Sequence, residues 1–212
     1  MPTSISLLIA HPKELIRAGL RAMLTKSPVT IVGEATHAAN TLSLAKKHKP
    51  DVLLIDTAIP EGDCFDVLSA IKKSVPATKF ILLSALDNPT YMARACAIGA
   101  SNFLLKSVSQ KELVAAIEQA AAGKSPSGAG PFTKVAAAMD GRTKAPLIDT
   151  PLTPRETQVL SHVAYGLSNH EIAQSLAISV ETVKEHVQNL LRKLAVSDRT
   201  QAAVWAVQSG LV

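Results

Sequence analysis

Short apolar runs alternate with segments of helical spacing over the first half of the chain, and this alternation narrows the fold more than any other feature. The runs are Ile5–Ala10, Val29–Glu34, Val52–Asp56, Phe80–Leu83 and Asn102–Leu105. Their length suits strands, not helices. Stretches such as VLLI and FILL are apolar at every position, which fits strands covered on both faces. Between them lie Lys13–Lys26, Ala39–His48, Phe65–Ser74, Pro89–Ile98 and Lys111–Ala122. In the first of these, Leu15, Ile16, Leu20, Met23 and Leu24 fall on one side of a helix. The last is opened by Ser109-x-x-Glu112, a capping box that satisfies amide groups left free at a helix start. Five strand–helix repeats predict an α/β domain: a five-stranded, doubly wound parallel sheet with helices on both faces.

Past residue 122 the composition changes. Residues 123–150 begin with GKSPSGAGP and end near TKAPLIDT, a Gly, Pro and Ser content that reads as a linker. Within it Phe132, Val135, Ala136 and Met139 are spaced for one or two helical turns. Residues 151–212 carry strong helix punctuation instead. Thr153-Pro154-Arg155-Glu156 is a capping box with Pro at the first helical position, and Ser168-Asn169-His170-Glu171 is a second one. Gly166 closes the first helix, and Ala177-Ile178 forms a turn. Ser179 caps a helix running to about Leu194, Ser197 or Asp198 starts the last helix, and Gly210 ends it. The expected organisation is therefore 1–122, 123–150 and 151–212, the third an all-α domain of four helices.

The third of those helices carries the chemistry. Val183, Val187, Leu190, Leu191 and Leu194 share one face, and Glu181, Lys184, Glu185, Gln188 and Arg192 share the other. A short helix, a tight turn and a longer helix make a helix-turn-helix unit whose outward face suits the major groove. Lys donates to guanine, Gln pairs bidentately with adenine, and Glu accepts from the cytosine amine. Thr182, Arg192, Lys193 and Arg199 are candidate phosphate contacts. A solvated helix in a small bundle has the same pattern, and spacing leaves both readings open. Net charge does not decide, because the +5 total sits entirely in residues 1–150, and residues 151–212 carry five cations and five anions.

At the C-terminal ends of the expected strands stand His11-Pro12, Asp56, Ser84-Ala85 and Lys106, where such sheets place their working residues. An Asp beside a Lys is a candidate nucleophile toward a phosphoryl donor, or one half of a structural ion pair. No Gly-rich phosphate loop, Cys/His cluster or serine triad is present in the sequence, so no enzyme is expected. Two cysteines suggest a reducing cytoplasm, and no run approaches the ~20 apolar residues of a membrane span. The opening MPTSISLLIA lacks the basic start of a signal peptide.

Two resemblances sharpen this reading. LTPRE-x-x-VL, GLSN-x-EIA, ETVK-x-HV-x-N-x-L-x-KL and SDRTQAA together resemble the LuxR/FixJ (NarL) type of helix-turn-helix domain over about 60 residues. That resemblance implies binding of double-stranded DNA as a homodimer paired through Thr200–Gln208, with Lys184 as the main base contact. Glu185 and Gln188 depart from the family's usual residues, so operator preference cannot be carried over. Residues 4–122 resemble a two-component receiver domain, through LLIAHPKELIRAGL, LLID, Ile59-Pro60, ILLSA, Gly99-Ala100 and FLLK. This implies a flavodoxin-like sheet of order 2-1-3-4-5, a sensor histidine kinase as input, and Asp56 as phosphoacceptor. Ser84 would then follow the phosphoryl group, Lys106 would be its cationic partner, and Phe103 would reorient on switching.

One departure stands out. Where the family has two adjacent acids that hold Mg²⁺ with the acceptor Asp, this chain has His11 and Pro12. Neither offers an anionic oxygen, so Mg²⁺ binding is expected to be weak or absent. A protonated His11 would pair with Asp56 directly, and Glu14 nearby is expected to serve the helix start. The combined reading is a cytoplasmic transcriptional regulator of response-regulator type, without a resident cofactor and without membrane contact. The alternative keeps the DNA binding but lets the receiver-like domain serve only dimerisation, or the sensing of a protein or ligand.

Overall fold

The strand β3 (Val52–Asp56) is buried at every residue, which explains its uninterrupted apolar spelling. In the computed structural model, which describes residues 4–124, 130–140, 152–209 and 211, it is the centre of a five-stranded sheet. Its neighbours are β1 (Ile5–Ala10) and β4 (Lys79–Ser84), flanked by β2 (Val29–Ala35) and β5 (Asn102–Leu105). The order is β2-β1-β3-β4-β5 with every pairing parallel, as expected. Parallel neighbours need crossovers, and the intervening segments supply them. These are α1 (Glu14–Leu24), α2 (Ala38–His48), α3 (Cys64–Ser74), α4 (Pro89–Ile98) and α5 (Gln110–Ala121).

Side-chain alternation along the strands sorts the core into two layers. Leu7, Ile9, Val52, Leu54, Ile81 and Leu83 pack with Leu20 and Leu24 of α1 and Leu113, Ala116, Ile117 and Ala120 of α5. Leu8, Leu53, Ile55 and Leu82, the alternate residues, are equally buried, as are Leu68 and Ile71 of α3. Each such aliphatic side chain contributes ~1.5–3 kcal/mol on leaving water. Gly33 lets α2 close on the sheet: a Cβ there would stand 3.1 Å from Leu8 Cδ1 and 3.8 Å from Leu44 Cδ1. The backbone ladder runs one residue past the strand ends. His11 N–H donates to Ala35 O (3.0 Å), Thr57 N–H to Leu83 O (2.9 Å) and Lys106 N–H to Ser84 O (2.8 Å), so these residues project from one rim of the sheet.

The described residues group into two compact units, the first reaching Asp87 and resuming at Ile98, the second taking Asn88–Ala97 with the chain beyond residue 129. In the second unit α7 (Pro154–Ala164), α8 (Asn169–Leu176), α9 (Val180–Lys193) and α10 (Arg199–Gln208) enclose a core of Val159, Leu160, Val163, Ile172, Val183, Leu190 and Leu194, with Ala202, Ala203 and Ala206 of α10. Both capping boxes form as spelled. Asp198, not Ser197, caps α10. The turn before α9 places Ala177 in the left-handed region, at φ 52°. Inside the expected linker the chain forms a longer helix than its spacing suggested, α6 (Pro131–Asp140), with Phe132 buried. The rest of that linker, 125–129 and 141–150, lies outside the described residues, as do Pro151 and Gly210.

Candidate functional site

The rim of the sheet gathers three of the expected pocket residues. Asp56 is 2% exposed and His11 1%. Lys106 Nζ donates to Asp56 Oδ2 at 2.9 Å, and His11 Nε2 lies 3.1 Å from the same oxygen. Ala58 N–H donates to the other oxygen, Oδ1, at 3.3 Å. The His11 ring is fixed from its far side: Lys13 N–H donates to Nδ1 at 3.0 Å, so the ring proton resides on Nε2. That N–H is buried, yet it is not aimed at Oδ2 within hydrogen-bond geometry. Burial pushes the imidazole below its ordinary value of 6.5, and the charges of Lys106 and Arg17 push the same way against Asp56. The lowering favours the uncharged ring beside Asp56 over the imidazolium.

Ser84 and Phe103 are also buried. The Ser84 hydroxyl donates to Leu86 O at 2.9 Å and accepts from Leu86 N–H at 3.1 Å. Phe103 points into the core from β5. Glu14 does not cap α1; its carboxylate pairs with Arg17 and Arg21. Arg17 is the residue sequence reasoning missed. Its guanidinium donates to His11 O (2.8 Å), Pro12 O (3.2 Å) and Glu34 Oε2 (2.9 Å). The signal was there: Arg17 falls on the stripe of Leu20 and Leu24, where an arginine must find buried acceptors.

The donor set does not fit the Mg²⁺ that the receiver resemblance implies. Mg²⁺ takes hard oxygen ligands in an octahedron, and this rim offers one carboxylate, already held by an ammonium, next to a protonated imidazole nitrogen and a proline.

In the second unit α9 is divided sharply. Val183, Leu190 and Leu194 are buried, while Glu181, Lys184, Glu185, Gln188 and Arg192 are all exposed. Lys184 Nζ reaches Glu181 Oε2 at 3.0 Å, and Arg192 donates to Asn189 Oδ1 at 2.9 Å. Ser179 caps the helix by accepting from Thr182 N–H at 3.0 Å, and the two hydroxyls lie 2.8 Å apart. Two of the expected phosphate contacts are engaged inside the domain. Lys193 Nζ donates to the buried Glu156 at 2.7 Å, and Arg199 donates to Asn169 Oδ1 at 2.9 Å and to Leu167 O. These bonds tie α9 to the start of α7 and α10 to the start of α8.

Comparison with known proteins agrees with both halves. The response regulator receiver domain matches residues 7–118, and the luxR family of bacterial regulatory proteins matches residues 150–206. The uncharacterised transcriptional regulatory protein YxjL of Bacillus subtilis is 35% identical over 98% of this chain and 97% of its own. The response regulator protein VraR of Staphylococcus aureus is 33% identical over 99% of each. RcsB from Salmonella enterica serovar Typhimurium, solved bound to promoter DNA, shares the fold with a TM-score of 0.63 at 23% identity, covering 98% of this chain and 100% of that one. Among the described residues no helix is long and apolar enough to cross a membrane. Its family is one of regulators rather than enzymes: with both domains matched in order and relatives aligned over almost the whole length, the chain belongs to the LuxR-type response regulators, DNA-binding transcriptional regulators.

Proposed function

We propose that this regulator reads operator DNA with the outward face of α9, as a homodimer in the cytoplasm. The observation that carries the reading is the exposed row Glu181, Lys184, Glu185, Gln188 and Arg192 on a helix whose other side is locked into the core. A rigid helix with exposed hydrogen-bonding side chains is what the major groove admits. The 14 residues of α9 span only ~21 Å, enough for one half-site. Two copies on half-sites a helical turn apart supply the length a specific operator needs. Phosphate contacts fall to Arg192 and Thr182, since Lys193 and Arg199 are held internally. A sensor histidine kinase is the input partner the family brings; the carboxylate it would address in this chain, Asp56, is already held by Lys106.

The test is fluorescence anisotropy of the full chain on duplexes selected from a random pool, at several salt concentrations. Lys184→Ala should weaken the preferred site by ~1–3 kcal/mol and relax one base position. Arg192→Ala should weaken all sequences alike and lower the salt slope by about one. Undiminished affinity for the selected site in Lys184→Ala would remove α9 from the groove.

A further inference from the structure

We infer that the Asp56 pocket is closed by cations of the protein itself, so that it neither gathers Mg²⁺ nor takes a phosphoryl group by the metal-assisted route of the family. This goes beyond the DNA-binding reading and does not rest on it.

Both oxygens of the acceptor are already engaged. Oδ2 has the Lys106 ammonium at 2.9 Å and His11 Nε2 at 3.1 Å, and Oδ1 has Ala58 N–H. An incoming divalent ion meets a carboxylate whose charge the ammonium at 2.9 Å already offsets. Beyond that ligand, the rim has little to give. On His11, Nδ1 is taken by Lys13 N–H and Nε2 carries the proton, so no lone pair faces the carboxylate. Pro12 has no side-chain donor atom at all.

Main-chain oxygens are the usual remaining source of hard ligands, and the two that follow β1 already face a cation. The carbonyls of His11 and Pro12, in the loop that follows β1, accept from one nitrogen of Arg17 at 2.8 and 3.2 Å. Arg17 is itself fixed by Glu34 at 2.9 Å. A guanidinium therefore stands behind the loop where an ion would draw the carbonyls forward, and its charge repels one.

Phosphoryl transfer to Asp56 would form a bond from a carboxylate oxygen to phosphorus and break the bond to the donor's leaving oxygen, which departs with the electron pair. The attacking and transferring groups are both anionic, and a metal ion bridging their oxygens is what neutralises that encounter. Lys106 is a single fixed cation and cannot bridge both. The hydroxyl that would follow the phosphoryl group on Asp56, that of Ser84, is closed in a turn with Leu86. Asp56 is left as the link that joins the ends of β1, β3 and β5.

The experiment uses the full chain with acetyl phosphate, with and without Mg²⁺, read by intact mass, and Mg²⁺ titration alone read by calorimetry. The wild type is expected to show no phosphoryl adduct and no saturable heat. His11→Asp with Pro12→Asp is expected to gain both, and His11→Asp alone serves if the double variant does not fold. A stoichiometric, Mg²⁺-dependent adduct on the wild type, lost in Asp56→Asn, overturns the inference. Folded acid-restored variants that bind no Mg²⁺ overturn it as well, since the missing acids are then not what limits the pocket. Neither outcome touches α9, whose DNA binding is measured separately with the Lys184 and Arg192 variants.

Discussion

Replacing Lys193 by Met separates two roles that this residue could have in a DNA-binding domain. Methionine keeps most of the stem and removes the ammonium, leaving the buried Glu156 carboxylate with the Thr153 N–H and hydroxyl but no opposite charge. Breaking a fully enclosed ion pair costs about 3–5 kcal/mol. Here the Lys193 side chain is 21% exposed, so the penalty shrinks, since Glu156 can recover some solvation; about 2 kcal/mol is the resulting figure. A four-helix domain of this size has ~3–9 kcal/mol to lose, and its midpoint should fall by about 10 °C. The assay is intrinsic fluorescence of the full chain. Trp205 is the single tryptophan and packs against the core of the second unit, so it reports this unit alone. Glu156→Gln combined with Lys193→Met should recover most of the loss, because no charge is then stranded. Burial by itself would raise the Glu156 carboxyl, but Lys193 and the Thr153 N–H and hydroxyl hold it below its ordinary 4.5. A depressed carboxyl stabilises above its unfolded value and loses that as pH falls. The gap between wild type and Lys193→Met should therefore close below about pH 4. An unchanged midpoint in Lys193→Met, with the salt slope of DNA binding lower by one, would refute this reasoning and return Lys193 to the phosphates.

Three further outcomes are expected. His11 is depressed from 6.5, so the unfolded chain binds the proton first: urea stability of the first unit should decline as pH drops below about 6.5, by up to ~1.4 kcal/mol per unit, and His11→Asn should flatten that decline between pH 6.5 and 5 when followed by circular dichroism. Arg17→Met leaves the carbonyls of His11 and Pro12 without this donor, while Glu34 keeps Arg21, and should cost roughly 1–3 kcal/mol by chemical denaturation; a loss under half a kcal/mol would mean water replaces the guanidinium. Ser179→Ala removes the cap of α9 and should cost ~1 kcal/mol in Trp205 fluorescence melts.

The sheet was legible because parallel strands buried on both faces leave no choice of residue: VLLI and FILL could only be central. Capping boxes were legible because both halves lie within four residues. What the sequence hid was the employment of its cations. Whether Lys193 faces solvent or Glu156, 37 positions away, depends on how α7 and α9 cross, and no local pattern records that. The same holds for His11, whose identity announced a departure from the family but whose lowered pKa follows from its burial, with Lys106 and Arg17 pushing the same way. In α6 the spacing of Phe132, Val135 and Ala136 was visible, and only its length fell short.

The outward face of α9 has a consequence for how many copies a cell must hold. Glu181 and Glu185 stand beside Lys184 and Arg192, so the reading surface carries as much negative charge as positive. Attraction to arbitrary DNA comes almost wholly from phosphate neutralisation, and a chromosome offers on the order of 10⁶–10⁹ decoy positions. A strongly basic reader spends most of its molecules on those decoys and must be abundant to fill one promoter. A charge-balanced reader leaves a larger free pool, so occupancy of its operator is reached at lower expression. It also responds less to shifts in intracellular ionic strength, and its search relies more on three-dimensional encounter than on sliding.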